Sequence, residues 1–203
     1  GKEFLKFDKK VRAHIQENNL TEIISPAAGF RVVFSHISTV IINSLLFGVF
    51  LGLLLITLLL GLFFRSIPFG VLSAFPNVLP IASAFGIWAL YDGQVGFMVA
   101  AGMGSTLGII VDFTVHLLSK YDLARREMGQ SPEEAVVFAF ESVGFALIVM
   151  TIVISLGFLV LNLVNFMPLH DFARFSTISF VMALIIDFLL FPNLLVKFDK
   201  RQF

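Results

Sequence analysis

The chain has 203 residues and no net charge; 58% of its residues are hydrophobic and only 14% are charged. A soluble domain is about one quarter charged, so this composition excludes a soluble globular protein and predicts a polytopic membrane protein. The zero net charge provides no basic surface for nucleic acid. Because the sequence has no cysteine, disulfide frameworks, thiolate metal sites and cysteine nucleophiles are excluded.

The first 36 residues differ from the rest of the chain because they mix charged and apolar side chains. Residues 1–24 carry Phe4, Phe7 and Val11 at helical spacing, which predicts an amphipathic helix that faces water. A basic helix lying on anionic lipid is the alternative. A turn should follow at residues 25–29, and the β-branched and aromatic stretch Phe30–Ile37 predicts a short strand. A lone strand needs a partner, so we expect the chain to be part of a longer protein.

Five apolar segments are each long enough to cross a bilayer, which takes about 20 residues. We predict transmembrane helices at about residues 39–64, 67–90, 95–121, 142–163 and 172–195. The predicted fold class is an all-α polytopic membrane protein with five transmembrane helices and a short N-terminal helix and strand. Within the polar loop at 120–141, Ser131 should cap a helix that has Pro132 in its first position.

Basic residues gather at one end of these five segments. They include Arg65, Lys120, Arg125, Arg126 and Lys197. Because short cytoplasmic loops are enriched in lysine and arginine, we predict that the loop at 120–141 and the tail at 199–203 are cytoplasmic. An odd number of spans then puts residues 1–36 outside.

The third predicted span carries Asp112 well inside its length, and His116 follows one helical turn later. An ionisable side chain at bilayer depth costs roughly 2.5–3.5 kcal/mol and is by default functional. Gly104 and Gly108 precede the acid at the same spacing of four, so these residues share one stripe of a helix. We therefore expect Asp112 inside the bundle, against a neighbouring helix. We predict that Asp112 is a proton-relay acid and His116 its partner; a packing acid and an interfacial histidine are the alternatives.

Gly108, Asn77, Thr151 and Ser155 are predicted to support this relay. Gly108 allows a neighbouring helix to approach closely. Asn77 lies between Pro76 and Pro80, and each proline leaves a backbone carbonyl of the preceding turn without its hydrogen bond, which Asn77 could supply. Thr151 and Ser155 could donate to Asp112, although such hydroxyls more often bond to their own helix.

Asp187 is a second acid, in the last predicted span. We interpret it as a capping or snorkelling contact near the cytoplasmic end. The histidines show no metal-ligand spacing, and no catalytic motif is present in the sequence. We therefore predict neither a metal site nor an enzyme.

Four stretches, taken in order, resemble the resistance-nodulation-division (RND) superfamily and in particular its MMPL-like predicted exporters. They are FPNVLPI at Phe75–Ile81, GIIVDFTVHLLSKY at Gly108–Tyr121, SPEEAVVFAFESVGFALIVMTIVISLGFLVL at Ser131–Leu161 and DFLLFPNLLVKF at Asp187–Phe198. Full members have two homologous halves, each with one span, a large extracytoplasmic domain and five further spans. The resemblance implies that residues 1–36 are the remnant of the extracytoplasmic, porter-like domain and that residues 37–198 are the five spans of one half.

The resemblance also implies a role for particular residues. Asp112, with Gly108 before it, matches the Gly-x-x-x-Asp pattern that supplies the proton-relay acid in this family. Many members have tyrosine after that aspartate, where this chain has Phe113, so a relay that uses the hydroxyl needs another donor here. His116 matches a histidine that is often seen in the predicted-exporter branch.

The function that follows is the membrane domain of a transporter driven by the proton-motive force, exporting lipids or other amphiphilic molecules across the cytoplasmic membrane. Protons are the expected coupling ion, with no other cofactor. The expected partners are the missing half or a second copy of this half, a lipid or amphiphilic substrate, and membrane lipids. Sterol-sensing domains are similar five-span units, so a sterol- or lipid-sensing module is the alternative; a unit that serves only in assembly is a third.

Overall fold

The computed structural model describes residues 2–20, 29–91 and 95–199, and those ranges contain helices and no strand. The turn predicted at 25–29, apart from Gly29, and the tail beyond Asp199 lie outside the described residues. In chain order the helices are α1 (Lys2–Glu17), α2 (Phe30–Phe63), α3 (Ile67–Tyr91), α4 (Phe97–Arg126), α5 (Pro132–Ala139), α6 (Phe145–Val160), α7 (Met167–Leu189) and α8 (Phe191–Phe198). A π-helical turn, Phe140–Gly144, joins α5 to α6, and a 3-10 turn, Leu161–Leu163, follows α6.

Five of the described helical segments are long and apolar enough to cross a membrane, which confirms the predicted fold class. They are Ile37–Phe63, Pro68–Tyr91, Phe97–Arg126, Pro132–Leu163 and Met167–Phe198. The third and fourth extend beyond the predicted limits because their helices continue into polar sequence. The fourth begins with the predicted cap: the Ser131 hydroxyl accepts from the Glu134 amide at 3.2 Å, and the Glu134 carboxylate accepts from the Ser131 amide at 2.9 Å.

The strand predicted at Phe30–Ile37 is wrong, because these residues form the first two turns of α2. β-branched and aromatic residues favour a strand only where a neighbouring strand packs against them. The described residues provide no such neighbour. The apolar segment that follows must satisfy its backbone hydrogen bonds within itself to lie in a membrane, and its helix extends back to Phe30.

The central helices of the bundle are α4 and α7. α4 packs against α2, α3, α5 and α7, whereas α7 packs against α3, α4, α6 and α8. Gly102 permits their close approach, since a Cβ at this position would lie 3.2 Å from the Ser176 hydroxyl and 3.3 Å from the Phe175 ring. By contrast, α2 and α6 expose leucine, phenylalanine, isoleucine and valine side chains over most of their length.

A polar cluster fixes the end of the bundle where the basic residues gather, which we call the basic end. Asp199, just after α8, accepts hydrogen bonds from the Tyr121 hydroxyl at 2.7 Å and from Arg125 Nε at 3.0 Å. Arg126 donates to the backbone carbonyl of Phe64. The last turns of α4 are thereby joined both to α8 and to the end of α2.

Gly70 of α3 lies directly against the backbone of α2. A Cβ at Gly70 would lie 2.6 Å from the Gly61 Cα and 2.8 Å from the Thr57 carbonyl oxygen, and backbone atoms cannot turn away as a flexible side chain can. We predict that Gly70→Ala lowers the free energy of unfolding by roughly 1–3 kcal/mol, the range for overpacking, measured by thermal denaturation in detergent. Gly86→Ala is the control, because apart from the adjoining backbone of its own helix no atom of the described chain lies within 4 Å of that added Cβ. Equal melting of the two variants would contradict this packing.

Candidate functional site

One face of α4 remains uncovered by the rest of the described chain. Between residues 97 and 125 the exposed positions are Ser105, Gly108, Asp112 and His116, and we call this set the open stripe. Their spacing of three or four residues puts them on one side of a helix. The other exposed faces of the bundle are built largely from leucine, phenylalanine, isoleucine and valine. The open stripe is therefore chemically different from the surfaces that suit lipid.

Asp112 and His116 form a pair within the open stripe. His116 Nε2 lies 3.5 Å from Asp112 Oδ1, and the two side chains are 55% and 52% exposed, respectively. Asp112 stands midway between Phe97 and Arg126, the ends of α4. The pair therefore lies near the middle of a membrane-spanning helix, and the described chain leaves its outer side uncovered. Direct proton transfer needs a heavy-atom separation of about 2.6–3.2 Å or one bridging water, so a small side-chain rotation or one water would be needed to connect this carboxylate and imidazole.

The expected burial of Asp112 inside the bundle is wrong for this unit, because its side chain lies on the outer face of α4. A spacing of four on a helix of 3.6 residues per turn rotates each residue by about 40° from the last. Gly104 consequently turns towards α2, where an added Cβ would lie 3.8 Å from the Val49 side chain. A Cβ added at Gly108 would have no atom of a neighbouring helix within 4 Å. The spacing identifies the shared face correctly but does not reveal that the face lacks a neighbour.

The two predicted hydroxyl donors do not reach Asp112. Thr151 is buried and donates to the Leu147 carbonyl of its own helix at 2.8 Å. Ser155 is also buried, and within the described residues its hydroxyl has no hydrogen-bond partner. Both face the interior of the bundle, whereas Asp112 faces outwards.

Asn77 connects α3 to the inner side of α4. Its amide donates to the Ser73 carbonyl of its own helix at 2.7 Å. The expected bond is to a carbonyl freed by a proline, and Pro76 and Pro80 free those of Leu72 and Pro76, so this bond is a different one. Its side-chain oxygen also accepts from the Thr114 hydroxyl at 3.1 Å. Asn77 therefore holds the buried face of α4, opposite the face that carries Asp112. The link to Thr114 was not predicted because these residues are far apart in the sequence.

Asp187 is fully buried, and the interpretation as a capping or snorkelling contact is wrong. Its exposed fraction is 0%, and within the described chain neither carboxyl oxygen has a hydrogen-bond partner. The residue lies in the last turn of α7, on the same side of the helix as the buried residues Ser179 and Ala183. The available sequence signal is the small and polar face formed by Ser176, Ser179, Ala183 and Asp187, which recur every three or four residues.

The described residues contain no group of three histidine, aspartate or glutamate side chains that could hold a metal ion. The open stripe places a carboxylate beside an imidazole.

The different exposure of the two acids can be measured directly. We predict that a cysteine introduced by Asp112→Cys reacts with a small maleimide at least about tenfold faster than one introduced by Asp187→Cys, because the buried site must first open locally. The measurement is the labelling rate of each variant of the 203-residue unit, separated from any partner in mild detergent, with denatured protein as the reference for intrinsic thiol reactivity. Equal rates would contradict the assignment of an outer and an inner acid.

The sequence is similar to proteins of one known family. The model of the MMPL family matches residues 8–202. A protein of Methanocaldococcus jannaschii that is named as a membrane protein is 26% identical over 151 residues, which is 74% of this chain and 38% of the relative. The chain thus spans well under half the length of that relative. Because the family model matches nearly the whole sequence, the chain belongs to the MMPL family.

Proposed function

We propose that the chain is the membrane domain of an RND/MMPL-type transporter that uses the proton-motive force to export lipids or other amphiphilic molecules. Family membership indicates a transporter-like membrane domain. The observation that carries the finer proposal is the Asp112–His116 pair, 3.5 Å apart on an uncovered face in the middle of a membrane helix. Acids and histidines at this depth are typical of proton relays.

The open stripe requires a partner. An aspartate facing hydrocarbon costs about 2.5–3.5 kcal/mol, and the pair with His116 would offset only part of that penalty. Ser105 and Gly108 are small and allow another helix to approach closely. We assign the covering surface to a second half of the same kind, either a second copy of this unit or a homologous half, whose own polar stripe would complete the site.

Proton binding at Asp112 would act through its charge. The ionised carboxylate needs water, a cation or protonated His116 beside it, so the two halves must leave room for one of these. When Asp112 takes up a proton, that charge disappears and the small residues of the open stripe can pack more closely against the partner. The proton gradient would then drive the change between the two arrangements, because each protonation state favours one of them.

His116 is the group within reach that can receive this proton. It is one turn nearer the basic end than Asp112, so a proton passing from the acid to the imidazole moves towards that end. Phe113 cannot contribute a hydroxyl and is fully buried, away from the open stripe. The relay in this chain would therefore depend on imidazole and water.

A specific feature also favours the lipid-sensing alternative. A groove of about 540 Å³ lies beside α2 and α3, lined mostly by apolar atoms and by the residues Thr57, Leu58, Gly61, Leu62, Arg65, Ser66 and Val71. Its apolar walls could accept an acyl chain or a sterol ring. A module that only senses lipid through this groove has no need of an ionisable group at Asp112.

Transport by the complete protein tests the proposal. We predict that Asp112→Asn reduces proton-coupled export by roughly 100-fold, within the usual contribution of a general acid–base group, because the amide cannot gain or lose a proton. The measurement is substrate efflux from proteoliposomes with an imposed pH gradient.

The control for this experiment is Glu127→Gln, which removes an exposed acid just past the end of the same helix and should export normally. Undiminished, gradient-dependent export by Asp112→Asn would contradict the relay. If neither the wild type nor either variant transports, and lipid binding is retained in all three, the sensing alternative is favoured.

A further inference from the structure

Asp187 is the most completely buried acid of the described membrane spans, and the proposed relay does not use it. It has 0% exposure, and within the described residues neither of its oxygens accepts a hydrogen bond. An ionised carboxylate in such surroundings would have lost its water and gained neither a donor nor a cation in return. Charged groups that are buried in proteins are normally paired with an opposite charge or bound to a metal ion.

The depth of Asp187 follows from one contact between the parallel helices α4 and α7 and a second between α4 and the residue just after α8. α4 and α7 both run towards the basic end, with Gly102 opposite Ser176 near one end and Tyr121 bonded to Asp199 near the other. Asp187 lies eleven residues after Ser176 and twelve before Asp199. Asp112 likewise lies midway, ten residues after Gly102 and nine before Tyr121. The two acids therefore stand at about the same depth, one outside the bundle and one inside.

No charged side chain of the neighbouring elements compensates Asp187. The titratable groups on the helices and turns around it, and on α7 itself, are Tyr91, Asp112, His116, Lys120, Tyr121, Asp122, Arg125, Arg126, Glu141, His170, Asp171, Arg174, Lys197 and Asp199. Within the described chain none of them forms an ion pair or hydrogen bond with Asp187. Asp112 and His116 face out of the bundle, Glu141 and Lys197 are exposed, and Arg125 is bonded to Asp199.

Polar groups with unused bonding capacity lie along α7 on the way to Asp187. The hydroxyls of Ser176 and Thr177 are buried without a hydrogen-bond partner among the described residues, as is the hydroxyl of Ser155 on α6. Ser176, Ser179 and Ala183 lead to Asp187 at helical spacing. Small side chains and unsatisfied hydroxyls are where a transient water can enter between helices.

We propose that Asp187 is a second proton-binding site, held as a neutral carboxylic acid inside the closed bundle. Its proton can leave only when α7 separates from its neighbours and water or a donor reaches the carboxylate, since the charge has no partner in the packed interior. Proton loss at Asp187 is thereby coupled to opening of the bundle. This proposal does not depend on the role of Asp112 or on the substrate.

Infrared spectroscopy of the complete protein in nanodiscs at neutral pH tests the proposal, because a protonated carboxyl has a carbonyl stretch well separated from the carboxylate bands. We expect such a band in the wild type, its complete loss in Asp187→Asn and its retention in Asp112→Asn, the matched acid-to-amide change at the same depth. In D₂O the band should shift slowly, at least about tenfold more slowly than amides exchange in the polar loop at 127–131, because the bundle must open first.

Several outcomes would overturn this proposal. If Asp187→Asn alters only carboxylate bands, the acid is ionised; if those bands also respond to replacing sodium by choline, the site binds a cation instead. Loss of the band in Asp112→Asn would assign the neutral acid to the other position. If Asp187→Asn does not fold, Asp187→Glu retains an acid and must show the band at a shifted frequency, and absence of any band there also contradicts the proposal. Each outcome is independent of the transport result for Asp112→Asn.

Discussion

The constraint on which this structure depends is that an ionisable side chain in hydrocarbon must be neutral, paired or covered. The chain carries two acids at about the same membrane depth and treats them differently. Asp112 lies outside the bundle beside His116, 3.5 Å away, where only another protein surface can shield it. Asp187 is sealed inside, where within the described chain neither of its oxygens has a hydrogen-bond partner. One unit thus has one acid on its outer face and one in its interior.

The packing of α4 and α7 creates both environments. The close contact at Gly102 holds α4 against α7 near one end, and the polar cluster of Tyr121, Arg125 and Asp199 joins α4 to the residue just after α8 at the basic end. That arrangement turns Thr114 inwards to Asn77 and leaves Asp112, two residues earlier, facing outwards. A movement of α4 relative to α7 would therefore affect the open stripe and the surroundings of Asp187 together. Such a shared element is what coupling between two protonation sites requires.

Local patterns in the sequence predict the fold class, the five membrane helices and the cap at Ser131, because length, hydropathy and capping chemistry act over a few residues. The strand at Phe30–Ile37 fails because strand preference depends on a neighbour that a single segment cannot reveal. Spacing also places Asp112 and His116 on one face but does not predict whether anything covers it. The burial of Asp187 depends on packing between distant segments, and its sign in the sequence was the small and polar face leading to it.

The central claim, that a second half covers the open stripe, is tested most directly by photo-crosslinking in the native membrane. A photoreactive group is attached through Ser105→Cys on the open stripe or through Val153→Cys on the exposed face of α6, and the adducts are identified by mass spectrometry. The account predicts that the group at position 105 crosslinks to a second five-helix unit and the group at 153 mainly to lipid. Lipid adducts alone from both positions would show that the open stripe faces the bilayer, and would contradict the account.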